Sequence, residues 1–147
     1  MTETITTTFK NVTADNKWIL GLPLTIEKKT VRGDSPWTEK SAFQYNTENR
    51  LSLKQMYTNN GTMQVSEEAY TYDRFGNVTY STLKSYTSAN LLKTYYQYSL
   101  DGVYETVLTD PMNRTIVKSY NTLGQVSAST DIWGNVTTYE YDGLGRL

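Results

Sequence analysis

The sequence predicts an all-β fold, an antiparallel β-hairpin meander. Three observations carry that expectation: a composition of strand and turn formers, a five-residue turn unit that recurs six times, and aromatic and β-branched residues placed to pair across those turns. Among 147 residues there are 24 Thr and 13 Tyr, which favour strands, with 11 Ser and 11 Asn against three Pro. The length is that of about one ordinary domain. We read residues 1–147 as a single β-sheet unit, with a lead-in strand region at 18–37 and hairpin repeats over 38–147.

Taken in order, Trp18-Ile19-Leu20-Gly21-Leu22-Pro23-Leu24-Thr25-Ile26 reads as an apolar strand bending at Gly21, and Arg32-Gly33-Asp34-Ser35-Pro36 reads as a loop. The turn unit then appears as Asn46-Thr47-Glu48-Asn49-Arg50, Asp73-Arg74-Phe75-Gly76-Asn77 and Asp110-Pro111-Met112-Asn113-Arg114. It returns as Asn121-Thr122-Leu123-Gly124-Gln125, Asp131-Ile132-Trp133-Gly134-Asn135 and Asp142-Gly143-Leu144-Gly145-Arg146. Tyr45, Tyr72, Tyr120 and Tyr141 stand immediately before four of the six.

The physics of the unit is a hairpin reversal. Its first Asp or Asn bonds the downstream backbone, two residues take type I angles, and the fourth enters the left-handed region. There Gly is free of strain and Asn is the next best choice, so Gly76 and Gly134 are expected at positive φ. The structural turn residues are therefore Asn49, Asp73, Gly76, Asp110, Asn113, Gly124, Asp131, Gly134, Asp142 and Gly145. This register sets Tyr72 opposite Val78, Tyr70 opposite Tyr80, Tyr45 opposite Leu51, Phe43 opposite Leu53 and Tyr141 opposite Leu147. Asn60-Gly61 and Asp101-Gly102 read as two-residue hairpin loops, and Thr87–Leu91 as a looser connection.

Composition excludes several functions. Fourteen basic and fifteen acidic residues leave a net charge of −1, which gives no general pull toward nucleic acid or a membrane surface. With no His and no Cys, the chain has no disulfide, no zinc site of those ligands and no His-dependent nucleophile. No cofactor is expected. No stretch is long and apolar enough to span a bilayer, and Met1-Thr2-Glu3-Thr4-Ile5 does not begin a signal peptide.

These residues carry a family resemblance. Tyr141-Asp142-Gly143-Leu144-Gly145-Arg146-Leu147 resembles the Tyr-Asp-x-x-Gly-Arg-Leu unit of the Rhs and YD-repeat proteins, and Tyr72–Val78 is a second match. Asp131–Asp142 resembles the family's linked pair of half-repeats, and Trp18–Pro23 the stretch that precedes its repeats. The resemblance spans roughly residues 18–147 and implies part of a β-ribbon, or solenoid, that spirals into a shell around a C-terminal toxic domain. It implies a secreted or cell-surface parent protein, with the remaining repeats and the toxin cargo as partners. A closed shell needs many more strands, and the array stops at Leu147 within a hairpin, so the chain is read as a fragment from the start of such a region.

Each motif with a chemical reading also has a plainer one. Asp110-Pro111 resembles the family's self-cleavage signal, but Asn113 and Arg114 replace its Gly and apolar residue, and the unit occupies an ordinary turn slot. The turn carboxylates Asp73, Asp131 and Asp142 are read as backbone ligands rather than a glycosidase pair. Asn-x-Thr sequons at Asn11, Asn60, Asn77, Asn113 and Asn135 follow largely from repeat chemistry, and Arg32-Gly33-Asp34 is too short to carry adhesion alone. We expect no enzyme. The alternative function is a carbohydrate-binding or adhesive module, with Tyr95, Tyr96, Tyr98 and Trp133 as contact residues beside Tyr104 and Phe75. The strand expected over Val136–Tyr141 would expose an open edge, and self-association through that edge or the opposite terminal strand is expected.

Overall fold

The computed structural model describes residues 2–14, 18–58, 60–88 and 90–147. Among these residues every regular element is a strand. They are β1 (Thr2–Val12), β2 (Ile19–Arg32), β3 (Ser35–Tyr45), β4 (Leu51–Thr58), β5 (Met63–Tyr72) and β6 (Val78–Ser85). They continue as β7 (Leu91–Tyr98), β8 (Glu105–Thr109), β9 (Thr115–Tyr120), β10 (Val126–Thr130) and β11 (Val136–Thr138). The strand order is the chain order, with no crossover. An antiparallel meander of this kind needs only local reversals, which the frequent turn units supply.

The chain divides into two compact units, Met1–Tyr70 with Thr82–Leu91, and Thr71–Ser81 with Leu92–Leu147. In the first, long strands pair antiparallel from β1 to β5. Lys28 pairs with Glu3 at 3.1 Å, while the adjacent Glu27, whose side chain leaves the other face, pairs with Lys40 at 3.4 Å. Such exposed pairs contribute little energy, about 0–1 kcal/mol each. They do show that both faces of the strands carry water-facing charge. Among the described residues of the whole chain, none is buried.

The N-terminal strand β1 lies upstream of the elements expected from the sequence. Its run Thr2-Glu3-Thr4-Ile5-Thr6-Thr7-Thr8 is β-branched throughout most of its length but lacks an apolar alternation. The loop expected at Arg32–Pro36 is a tight reversal: Arg32 pairs with Ser35, leaving Gly33 and Asp34 as its two central residues. Gly33 has φ +61°, the left-handed angle that its place in a two-residue hairpin requires. Thr58 pairs with Met63, a register that centres the next reversal on Asn60 and Gly61, both at positive φ. Ala89, in the connection expected over Thr87–Leu91, lies outside the described residues.

Three expectations need correction. Tyr45 faces Leu51, but Gln44, not Phe43, faces Leu53, and Phe43 faces Lys54. A bulge inserts Ser52 after the turn and moves the register by one, an event that turn chemistry alone does not reveal. Asp101-Gly102 is not a two-residue loop, since Ser99 N–H donates to Tyr104 O at 2.8 Å and Gly102 N–H to Ser99 O at 2.8 Å. The reversal is longer, running from Ser99 to Tyr104. Finally, β11 ends at Thr138 rather than Tyr141, although Tyr139 N–H still donates to Ser127 O at 3.0 Å, in register with the Ala128–Thr138 pair.

Candidate functional site

The six turn units close in one way. In each, the first residue's N–H donates to the fifth residue's C=O, and the fourth residue's N–H donates to the first residue's C=O. The first side chain then accepts from the backbone: Asp110 Oδ1 takes the N–H groups of Met112 at 2.8 Å and Arg114 at 2.9 Å. Asn46, Asp73, Asn121, Asp131 and Asp142 each do the same through one Oδ1. The fourth positions are all left-handed: Asn49, Asn113, Gly76, Gly124, Gly134 and Gly145. The second oxygen is used as well, Asp110 Oδ2 by Arg114 Nε at 2.7 Å and Asp142 Oδ2 by Arg146 Nε at 2.7 Å. A carboxylate so committed is a turn ligand, and Asp110-Pro111 sits in such a turn.

This bonding sets the charge state. The Arg114 side chain holds the Asp110 carboxyl below the ordinary aspartate range, the Asn135 amide does so for Asp131, and the Arg146 backbone N–H for Asp142. A carboxyl with a lowered folded pKa stabilises the fold above its unfolded pKa, and that contribution is lost as pH falls through the folded value. Unfolding followed by circular dichroism is therefore expected to show constant stability from neutral pH to about 5, then a fall below about 4. A chain equally stable at pH 2 and pH 7 would contradict the turn assignment.

The turns are joined to one another through tyrosines. Tyr45 Oη donates to Pro23 O at 2.8 Å, Tyr98 Oη to Val78 O at 3.1 Å, Tyr120 Oη to Glu105 O at 2.8 Å and Tyr141 Oη to Val126 O at 2.9 Å. Each tyrosine stands directly before a reversal, and Tyr45, Tyr98 and Tyr120 are the last residues of β3, β7 and β9. Each reaches the adjacent preceding strand, at a residue at or near that strand's start. Pro23, Glu105 and Val126 all lie at register shifts, where a bulge takes a residue out of ladder pairing. Each lies beyond the last ladder pair on the side its tyrosine approaches from, so its carbonyl needs a donor, and the phenol supplies it.

In the second unit the reversals also touch. Asn77 Nδ2 donates to Gly102 O at 2.6 Å, and Gln125 Nε2 donates to Gly145 O at 3.0 Å. A Cβ on Gly102 would lie 2.2 Å from the Phe75 ring, and one on Gly124 would lie 2.0 Å from Tyr104 Oη. Tyr104 itself stacks on Tyr120 with ring centroids 4.7 Å apart. The reversals at 73–77, 99–104, 121–125 and 142–146 thus form one linked row. Those at 110–114 and 131–135 lie at the other strand ends, and a Cβ on Gly134 would meet nothing within 4 Å.

Sequence reasoning missed the Ser99–Tyr104 member of this row. There Ser99 takes the place of Asp, with Oγ accepting from Tyr104 N–H at 3.0 Å, and the loop is longer by one residue. The available signal was Tyr98, standing directly before the reversal as Tyr45, Tyr72, Tyr120 and Tyr141 do.

The aromatic contact candidates do not form one platform. Tyr95 and Tyr96 leave opposite faces of β7, and Tyr98 is committed to Val78 O. The Tyr95 ring lies 4.7 Å from that of Tyr80, whereas Trp133, 80% exposed, sits at a reversal on the other end of the strands. Phe75 packs against Gly102 with the Arg74 guanidinium 4.6 Å over its ring. Of the sequon asparagines, Asn77 and Asn135 donate to their turn aspartates, Asn11 accepts from Gly21 N–H, and Asn60 and Asn113 occupy left-handed turn positions. Arg32-Gly33-Asp34 is exposed at the β2–β3 reversal. Among the described residues, no group of acidic side chains has the arrangement to hold a metal ion. None of the helices that would be needed to cross a membrane occurs among them either.

Residues 120–147 match the family model of the RHS repeat. The match begins at Tyr120 and covers the last three turn units together with the link from Tyr141 to Val126. No curated protein matches the chain.

Proposed function

We propose, from the Rhs/YD-repeat assignment that the RHS repeat at residues 120–147 supports, that this chain is a non-enzymatic wall segment of a YD-repeat shell. Its longer parent encloses or presents a C-terminal toxic domain, is secreted or held at the cell surface, and has further repeats and that cargo as its partners. The observation that carries this reading is the row of tyrosine-to-carbonyl links in strands that bury no side chain. A fold that closes around a core stops growing once the core is sealed. A row in which each hairpin bonds the one before extends without such a limit, as repeat arrays do. Strands with water on both faces suit a wall between two aqueous spaces, and the turn aspartates are spent on backbone bonds rather than held for chemistry.

The test is limited proteolysis of the full-length gene product. The segment that follows the repeats is expected to resist protease in the wild type and to become cleavable when Tyr120→Ala and Tyr141→Ala loosen the row. A downstream segment digested at the same rate with and without the repeat region would refute enclosure.

A further inference from the structure

We propose that two copies of this chain pair through the outward edge of β1, in an antiparallel β1–β1 ladder with a two-fold axis at Thr7. The inference is independent of the shell reading. The strand runs eleven residues, Thr2–Val12, and bonds on one side to β2. Among the described residues no strand lies on its other side. Alternate residues of such a strand direct their N–H and C=O groups outward, and a row of this length is a template for a second strand.

Natural edges are usually blunted by Pro, bulges, inward charge or short length. None of these protects β1. It contains neither Pro nor Gly, and its two charges, Glu3 and Lys10, stand toward its ends. The register shifts between β1 and β2 place their extra residues in β2, so β1 keeps its regular alternation. By contrast β11 offers only three residues, Val136–Thr138. The length available at β1 therefore favours that edge.

The side chains select the register. A two-fold axis normal to the strands keeps each face continuous and opposes residues of the same parity. Centred on Thr7, it sets Ile5 against Phe9 of the second copy, Phe9 against Ile5, Thr4 against Lys10 and Glu3 against Asn11. Ile5 and Phe9 are 62% and 57% exposed, and this pairing covers both twice over. Shifting the register by two residues either way opposes Ile5 to Thr7 or Asn11 and leaves Phe9 without an apolar partner. No like charges meet in the Thr7-centred arrangement.

Sedimentation of the 147-residue chain across a concentration series tests the proposal. The expected species has twice the 16.8 kDa chain mass. The double variant I5K/F9K, which sets lysines against lysines, is expected to sediment as a monomer. I5K/F9E carries the same change at position 5 but sets lysine against glutamate, and is expected to restore the dimer. Circular dichroism of each variant reports folding. A wild-type chain that stays monomeric at high concentration, or that forms only larger species, overturns the proposal. So does a dimer that I5K/F9K leaves intact, or a failure of I5K/F9E to restore pairing.

Discussion

Gly124→Ala is expected to destabilise the chain by about 2–3 kcal/mol, more than the same change at any open turn glycine. Two costs act together. Gly124 has φ +79°, and placing an L side chain in the left-handed region costs about 1–2 kcal/mol. The new methyl would also lie 2.0 Å from Tyr104 Oη and 2.7 Å from Cζ, so the whole ring must move. That ring is stacked on Tyr120 at 4.7 Å, an arrangement worth about 0.5–1.5 kcal/mol. Gly134 supplies the control, with φ +85° and open space where its Cβ would stand. Gly134→Ala is therefore expected to show the backbone cost alone, about 1–2 kcal/mol. Urea unfolding midpoints of the two variants decide the matter. If Gly134→Ala is as costly as Gly124→Ala, the ring contact is not a constraint and the turn row is looser than its geometry implies.

The contrast between these two glycines also marks what is legible in the sequence. The five-residue turn is a local object: the Asx side chain, the left-handed fourth position and the closing N–H all lie within five residues. That is why Asn113 and Gly134 can be read in the same role from spacing alone. Nothing local distinguishes Gly124 from Gly134, because the difference is a ring contributed by Tyr104, twenty residues away in the chain. The tyrosine links are hidden for the same reason. Tyr120 is visible as a residue before a turn, but its acceptor, Glu105 O, lies beyond the last β8–β9 ladder pair, a position that arises from strand pairing. A bulge explains why Tyr45–Leu51 can be read from the turn while the pair beyond it cannot. The Ser99 reversal was masked by a substitution and an added residue, although Tyr98 pointed to it. In β1 the Thr-rich run gave no inside and outside to read, which is consistent with strands that bury neither face.

Tyr120 is the residue at which both kinds of link meet, and its replacement carries the second large effect. Tyr120→Phe keeps the ring on Tyr104 but removes the donor to Glu105 O, and is expected to cost about 1–2 kcal/mol. Tyr120→Ala removes the stacked ring as well, and the loss is expected to rise to about 3 kcal/mol, the lower end for deleting a large aromatic because the site is half-exposed. A double-mutant cycle with Tyr104→Ala separates the terms. The two alanine changes are expected to be less than additive by about 0.5–1.5 kcal/mol, since either one abolishes the same stack. Tyr120→Phe is expected to leave that coupling unchanged, because it alters the hydrogen bond and not the ring. Strict additivity of the alanine variants would mean that the rings do not support each other. A Phe variant as stable as wild type would mean that Glu105 O is satisfied without the phenol. Either result would remove the physical basis for treating the turns as a linked row, and with it the argument that hairpins are added one upon the last.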